Sequence, residues 1–333
     1  MKKKIVYTDE PMGDVEVVAD FLPSPAELAF REDGVKVTLS LSKSSVDFFK
    51  SEAAKHQTQY QRMIRRLLDS YVEAQGTTAS KAKHTVRKRP GTVGICAALL
   101  NKYQIDTIPH IICGGFSKQD TEDALIDLHF LGIDNVLLLR GDAIKSEGRF
   151  KPEPNGHAYA VDLVKQVKDM NAGQYLDADL KDVTKTNFCI GVAGYPEKHF
   201  EAPNRKADIR YLKAKVDAGA SYIVTQMFFD NRAFFKFVDE CKEAGIHVPI
   251  IPGLKPLASK TQLNMIPHHF HINMPDELVQ MVEKAKSDEE VRNIGVEWCI
   301  QQSKELMKAG APVLHYYTMG KAKSTKQIAK AIF

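Results

Sequence analysis

No stretch of this chain approaches the ~18 consecutive apolar residues that would suggest a membrane span. Its N-terminus, Met1 to Glu10, is basic but lacks the apolar stretch of a signal peptide. These absences predict a cytoplasmic protein with no membrane partner. Cysteine is scarce and scattered: Cys96, Cys113, Cys189, Cys241 and Cys299 form no C-x-x-C pair. That argues against a disulfide scaffold and against a zinc site. Each sits in an apolar context, so buried, inert thiols are expected. There is no G-x-G-x-x-G and no Walker motif, which argues against Rossmann and P-loop nucleotide binding. The net charge is only +4, too small to imply nucleic-acid binding by itself.

What is present suits a globular chain. The 333 residues are 44% hydrophobic and 26% charged, enough for a sizeable core. That length fits one large α/β domain, or a domain of about 250 residues with a small companion. Ala74 to Lys83 is small, polar and patternless, and places a linker at 76–84. Lys81, Lys83, Arg87, Lys88 and Arg89 fall in a stretch free of acids, read as a solvated segment.

Beyond the linker, apolar β-rich runs alternate with helical patterns. The runs are Ile108–Gly115, Val136–Asp142, Phe188–Tyr195, Tyr222–Asp230, Val248–Leu254 and Val313–Met319. They are nearly continuous in apolar residues, as parallel strands covered on both faces should be. Amphipathic segments such as Thr121–Leu131 and Asp208–Ala218 lie between them. Strand and helix in alternation predict a parallel sheet, and the polar or glycine-bearing strand ends suit the active-site rim of a (β/α)8 barrel. A closed barrel needs eight strands, and residues 85–333 supply six. The candidates for the others, Val15–Leu22 and Val35–Leu41, stand too close together for a comfortable crossover helix.

Before the linker the texture differs. Val35, Val37, Leu39 and Leu41 alternate with polar residues and predict a half-buried strand. Two helices follow. One starts near Ser42 or Ser44 and carries Val46, Phe49 and Ala53 on one face. The other opens at Thr58-Gln-Tyr-Gln61, which has capping-box spacing. One strand and two helices make a thin core, so a homo-oligomer formed through the strand is expected.

From about Thr85 to Phe333 the chain resembles methylenetetrahydrofolate reductase. The resemblance rests on motifs in order: Arg87-Lys-Arg-Pro-Gly-Thr-Val-Gly-Ile-Cys96, Leu138-Leu-Arg-Gly-Asp142, Gly191-Val-Ala-Gly-Tyr-Pro-Glu-Lys-His199, Lys215-Val-Asp-Ala-Gly-Ala220, Thr225-Gln-Met-Phe-Phe-Asp230, Ile250-Ile-Pro-Gly-Leu-Lys-Pro256 and His315-Tyr-Tyr-Thr-Met319. It implies a (β/α)8 TIM barrel with FAD at the C-terminal strand ends. NADH or NADPH is the co-substrate, and methylenetetrahydrofolate is reduced to methyltetrahydrofolate.

The same resemblance assigns residues. Asp142 lies beside the flavin ring, where a carboxylate disfavours the anionic reduced form and attracts a cationic iminium. His110, Arg140, Gly141, Asp142, Ala160, Tyr195, His199, Ala202, Asp208 and Lys215 fall at FAD positions. Gln226 matches a contact to the folate pterin, and Gln262 is a second folate candidate. Where some bacterial members place an Arg for the folate, this chain has Lys321. His268, His269 and His271 cluster in sequence, but the family supplies no metal site there, and none is expected. By this resemblance the chain, ending at Phe333, is short of the regulatory domain of eukaryotic members.

The N-terminus departs from the pattern. The first-strand Glu that serves the family as general acid is missing; Asp20 in Val17-Val-Ala-Asp-Phe-Leu-Pro23 is a faint echo. The second-strand Thr-Tyr pair is missing too. Residues 1–75 instead resemble a ribbon-helix-helix protein of the CopG antitoxin type, on Asp20-Phe-Leu-Pro-Ser-Pro25, Val35–Leu41 and Tyr60-Gln-Arg-Met-Ile-Arg-Arg-Leu-Leu68. In that class outward strand side chains, here Lys36, Thr38 and Ser40, enter the DNA major groove. The expectation is therefore a ribbon-helix-helix module joined to a reductase barrel that lacks its first two strands. Its folate step is expected to be weakened. The alternative is a DNA-binding or toxin-neutralising protein carrying an inactive barrel portion.

Overall fold

The computed structural model describes residues 43–55, 58–61, 63–64, 91–142, 149–311 and 313–333. The proposed ribbon strand with Lys36, Thr38 and Ser40, the echo at Asp20, and the linker lie outside the described residues. The chain falls into two compact units, 1–89 and 90–333.

In the first unit, helix α1 spans Lys43–Lys55. Phe49 and Ala53, one turn apart on its apolar face, pack with Tyr60 and Met63. Tyr60, Gln61, Met63 and Ile64 are helical, as the spacing predicts. Thr58 does not form the predicted capping box: its Oγ1 is buried with no hydrogen-bond partner. The residue closes α1 instead, its backbone N–H donating to Ala53 O at 3.0 Å.

The second unit opens with α2 (Thr92–Tyr103) and then alternates strand and helix. The order is β1 (His110–Ile112), α3 (Lys118–Phe130), β2 (Asn135–Leu139), α4 (Ala160–Ala172), β3 (Cys189–Gly194), α5 (Arg205–Asp217), β4 (Tyr222–Met227), α6 (Asn231–Glu243) and β5 (Ile250–Leu254). Three helices follow, α7 (Gln262–Phe270), α8 (Asp276–Lys284) and α9 (Asp288–Lys308), before β6 (His315–Tyr316) and α10 (Ala322–Ile332). All six predicted strand runs contain a strand, shorter than the run because its ends turn into loops.

The sheet is parallel throughout, and its spatial order β1-β2-β3-β4-β5-β6 is the chain order. A doubly wound sheet would reverse direction at a switch point; this one never does. Sequential parallel order is the topology of a barrel wall. The pleat divides the residues. Val136, Leu138, Ile190, Val192 and Ile223 point to the helix side and join Leu125, Leu128, Leu163, Val167, Leu212 and Phe237 in the main core. At about 1.5–3 kcal/mol per fully buried apolar side chain, this sheet–helix layer dominates the stability of the unit.

The opposite face is the interior of the curl. Leu137, Tyr222 and Val224 are buried there with Leu139 and Ile251 beside them. Tyr222 lies across Gly191, where an added Cβ would meet its ring at 2.2 Å, and its hydroxyl donates to Val136 O at 3.0 Å. Register places His110 opposite Leu137, hence on this inner face, and places His315 opposite Gly253. His110 and His315 sit on the two edge strands of this sheet, and burial and then the His110 charge lower the His315 pKa.

Helix starts are held locally. Ser117 and Asp120 form a capping box on α3. Asn204 accepts from Ala207 N at 2.9 Å on α5, and Asp230 from Arg232 N at 2.9 Å on α6. Four cysteines are buried as expected, but Cys189 is exposed. It is the first residue of β3, where the strand emerges at the N-terminal end of the sheet. Among the described residues, no helix is long and apolar enough to cross a membrane.

Candidate active site

Parallel strands bring all their C-terminal ends to one rim, where six strand ends converge. On β2 the ladder to β1 continues past the strand, with Cys113 N donating to Leu139 O at 3.1 Å and Gly114 N to Arg140 O at 3.2 Å. Gly141 follows at φ +87°, a left-handed conformation that side chains rarely adopt, and Asp142 is exposed just beyond it. The Arg140 guanidinium is ion-paired with Glu201 and lies over the Phe150 ring at 5.1 Å. That pairing holds the Glu201 carboxyl below the usual carboxylate range.

Beyond β3, a compact loop arranges four rings. Tyr195 meets His199 edge-on at 4.6 Å, His199 stacks on Phe200 at 4.9 Å, and Phe200 stacks on His271 at 4.7 Å. Lys198 ties the loop, its ammonium donating to His199 O at 2.9 Å and Ala202 O at 2.7 Å, with its own backbone at φ +103°. Left-handed backbone at a lysine costs about 1–3 kcal/mol and persists only where surrounding contacts impose it. His199 donates its backbone N–H to Asp208 Oδ2 at 3.1 Å, and its Nδ1 accepts from Glu201 N at 3.2 Å. Burial first, then the Arg140 charge, holds its imidazole below the ordinary histidine value.

Lys215, in the last turn of α5, donates its ammonium to Ala193 O at 2.5 Å. Burial pushes its pKa down to about 8, with the Asp208 charge acting in the opposite direction. Burial also raises the Tyr195 phenol, and the Asp208 charge adds to that. Asp142 acts on Tyr195 in the same sense, which places the carboxylate near this ring. His110 is open to solvent, yet enough protein surrounds it for desolvation to lower its pKa. Ala160 begins α4, and Ala202 is buried under the loop. The structure thus brings Arg140, Asp142, Tyr195, His199, Asp208 and Lys215 together through direct contacts or shared charge.

On the other half of the rim, neutral groups hold one another. Gln226 is the penultimate residue of β4, beside a register shift, and its Oε1 accepts from Met227 N at 2.9 Å. Thr225 Oγ1 accepts from Gly253 N at 2.9 Å, and Thr225 O accepts from the Tyr317 hydroxyl at 2.9 Å. Burial raises the Tyr317 phenol to about 12, and its ring meets His315 edge-on at 4.7 Å. Gln262, at the start of α7, spends its Oε1 on Ala258 N at 2.8 Å. The three clustered histidines go separate ways: His269 contacts Met265 O, His268 faces His269, and His271 stacks on Phe200. Among the described residues no group of three or more His, Cys, Asp or Glu converges on a metal position.

The donor set suits a dinucleotide. Lys215 offers an enclosed ammonium with one hydrogen bond made out of three, and Arg140 a guanidinium engaged through one nitrogen. Those are donors that a pyrophosphate takes, and Gly141 leaves the backbone open beside them.

A model of the methylenetetrahydrofolate reductase family matches residues 41–332. The chain belongs to that family. The match takes in α1, inside the stretch that resembles a ribbon-helix-helix protein. A relative from Caenorhabditis elegans, a probable methylenetetrahydrofolate reductase (NADPH), is 34% identical over 249 residues, covering 74% of this chain and 35% of the relative. The 5,10-methylenetetrahydrofolate reductase of Escherichia coli is 31% identical over 246 residues, covering 74% of this chain and 76% of that protein. The chain therefore spans about a third of the length of its eukaryotic relatives. Among solved structures, an uncharacterized protein from Clostridium thermocellum that binds two copies of 5-methyl-5,6,7,8-tetrahydrofolic acid superposes at TM-score 0.45 and 18% identity, covering 70% of this chain and 76% of that one.

Sequence reading left several rim residues without a role. Tyr317, His315 and Lys255 stand inside quoted motifs, where only their company signalled them. Lys198 too stands inside a quoted motif, whereas Glu201 carried no signal, because its partner is set by how the loop after β3 folds back.

Proposed function

We propose that this chain reduces 5,10-methylenetetrahydrofolate to 5-methyltetrahydrofolate, with FAD as cofactor and NADH or NADPH as electron source. FAD held at this rim would supply the two-electron hydride chemistry that links the nicotinamide to the methylene carbon of the folate. Arg140 and Lys215 hold the dinucleotide's phosphate and ribose end, with Asp208 fixing the loop through His199. Gly141 would let a ring system approach β2, and Asp142 would stand beside it. Tyr195, His110, Ala160 and Ala202 line the same half. Gln226 offers both donor and acceptor to a pterin edge, and Gln262 supports the folate from α7. The homo-oligomer through residues 35–41 remains part of the proposal.

The observation that carries this reading is the enclosed Lys215 ammonium, which with the Arg140 guanidinium acts on the His199 imidazole at one rim, in a chain of this family. The test is spectroscopic. The purified full chain should carry or take up FAD with the absorbance of a bound flavin. NADH or NADPH should bleach it, and methylenetetrahydrofolate should restore the colour. A colourless protein that binds no added FAD would sink the reading. Slow recolouring beside fast bleaching would match a folate step lacking the family's first-strand Glu.

A further inference from the structure

The loop after β3 is joined to the turn after α7 by one carboxylate. Glu197 Oε2 accepts from Asn273 N at 2.7 Å and from Asn273 Nδ2 at 2.6 Å, partners 76 residues apart in the chain. A second contact runs beside it, Phe200 stacking on His271 at 4.7 Å. Both fall on the turn that ends α7, where His271 is the C-cap at φ +54°. Ile272, between His271 and Asn273, turns inward and is buried with Met227, Phe229, Leu257 and Ile266. His271 and Asn273 lie on the exposed side of the turn, where Phe200 and Glu197 meet them.

Two N–H bonds from one residue fix a carboxylate in one orientation, and a charged acceptor makes each about twice as strong as a neutral bond. Burial raises the Glu197 carboxyl, and the Asn273 bonds oppose that shift, so they favour the charged form at this half-buried position. The helix at the other end of the clasp is a weak one. α7 has nine residues, no side-chain cap and Pro267 inside it, and helices that short are marginal by themselves. Its start is tied by Gln262 Oε1, which accepts from Ala258 N, and its middle by buried Ile266. The Glu197 clasp ties its end. At 1.5 Å per residue that end lies about 14 Å from Gln262, so freeing it lets the start swing.

We propose that Glu197 is a positioning residue: through Asn273 it sets the lie of α7, and so the place of Gln262 at the folate half of the rim. The inference rests on the reading of Gln262 as a folate contact and assigns the geometry of that contact to Glu197, which itself touches neither folate nor flavin. A change at Glu197 also reaches His199, two residues on. Asn273, on the far side of the clasp, separates the two routes.

The test uses the full chain with FAD, in separate half-reactions. Glu197→Ala should raise the KM for methylenetetrahydrofolate about tenfold, with kcat, the rate of bleaching by NADH and the FAD dissociation constant each within about twofold of the natural chain. Asn273→Asp, which sets one carboxylate against another, should do the same from the other side. Glu197→Gln keeps one acceptor and should lie between. Glu197→Ala combined with Asn273→Ala should be no worse than Glu197→Ala alone, because both remove one interaction. Hydrogen exchange at the α7 amides should quicken in Glu197→Ala and Asn273→Asp, a readout that needs no ligand. Additive losses, an unchanged folate KM, unchanged exchange at α7, or a defect in FAD binding that Asn273→Asp does not share each overturns the positioning role while leaving the reductase reading standing. Faster exchange at α7, in a chain that takes up neither FAD nor folate, keeps the clasp on α7 and overturns the reductase reading together with the folate role.

Discussion

On the β1–β3 side of the rim, charge meets charge: Arg140 pairs with Glu201, and Lys215 shares a field with Asp208. On the β4–β6 side, Thr225, Gly253, Gln226, Gln262 and Tyr317 take part in neutral hydrogen bonds, and Lys255 makes no hydrogen bond or ion pair among the described residues. The difference is one of preorganisation. The first half is shaped before any ligand arrives, because opposite charges hold each other in place. The second half holds its backbone rigid with neutral bonds.

Backbone rigidity is where the comparison is easiest to break. A Cβ at Gly253 would lie 2.3 Å from Thr225 O, a backbone atom fixed in the sheet. A Cβ at Gly194 would meet Ile223 Cγ2 at 2.7 Å and the Phe237 ring at 2.9 Å, both side chains that can shift. Gly253→Ala should therefore cost about 3 kcal/mol in urea unfolding, and Gly194→Ala roughly half that. Equal losses would mean that the two halves are equally compliant.

The next effect concerns charge. Lys215→Met should weaken FAD binding by about tenfold to a hundredfold, read from flavin fluorescence quenching. Lys215 also sets a pH dependence. Its folded pKa, about 8, lies below the unfolded value, so the folded state holds its proton less tightly. Between the two values the unfolded chain binds the extra proton, and stability of the free protein rises with pH there. Binding an anion needs the ammonium charged, so affinity should fall as pH climbs past about 8, with proton uptake on binding visible by calorimetry in buffers of different ionisation enthalpy.

A smaller effect is expected on the neutral side. Tyr317→Phe removes the bond to Thr225 O and should cost about 1 kcal/mol in melting experiments, with flavin affinity unchanged. A fall in flavin affinity would show that the two halves are coupled. The smallest effect belongs to Glu201, which is partly exposed. Its folded pKa is depressed, so its contribution is present above the unfolded carboxylate value and fades as pH drops through the lowered one. The stability gap between the natural chain and Glu201→Gln should close on acidification; a gap that stays constant with pH would remove the ion pair from the account.

Much of the wall was legible residue by residue. Val136-Leu-Leu-Leu139 and Tyr222-Ile-Val224 are apolar on both faces, which only a covered strand tolerates, and Ser117 with Asp120 marks the start of α3. Arg140, Asp142, His199 and Lys215 were legible through their motifs, and Asp208 through the family resemblance alone. Cys189 was misread because an apolar neighbourhood in sequence does not say at which end of a strand a residue emerges. Thr58 was misread because capping spacing does not reveal that the preceding helix claims the residue first.

Local periodicity by itself determined which segments are strands and which are helices, because burial on one stripe or on both faces follows from spacing alone. It also set the parallel order, since each strand is separated from the next by a helix. Only the tertiary structure decided which polar groups are satisfied. Lys215 meets Ala193 across twenty-two residues, Tyr317 meets Thr225 across ninety-two, and Lys255 meets no partner among the described residues. Those outcomes depend on register and on the curl of the sheet, which no window of sequence contains.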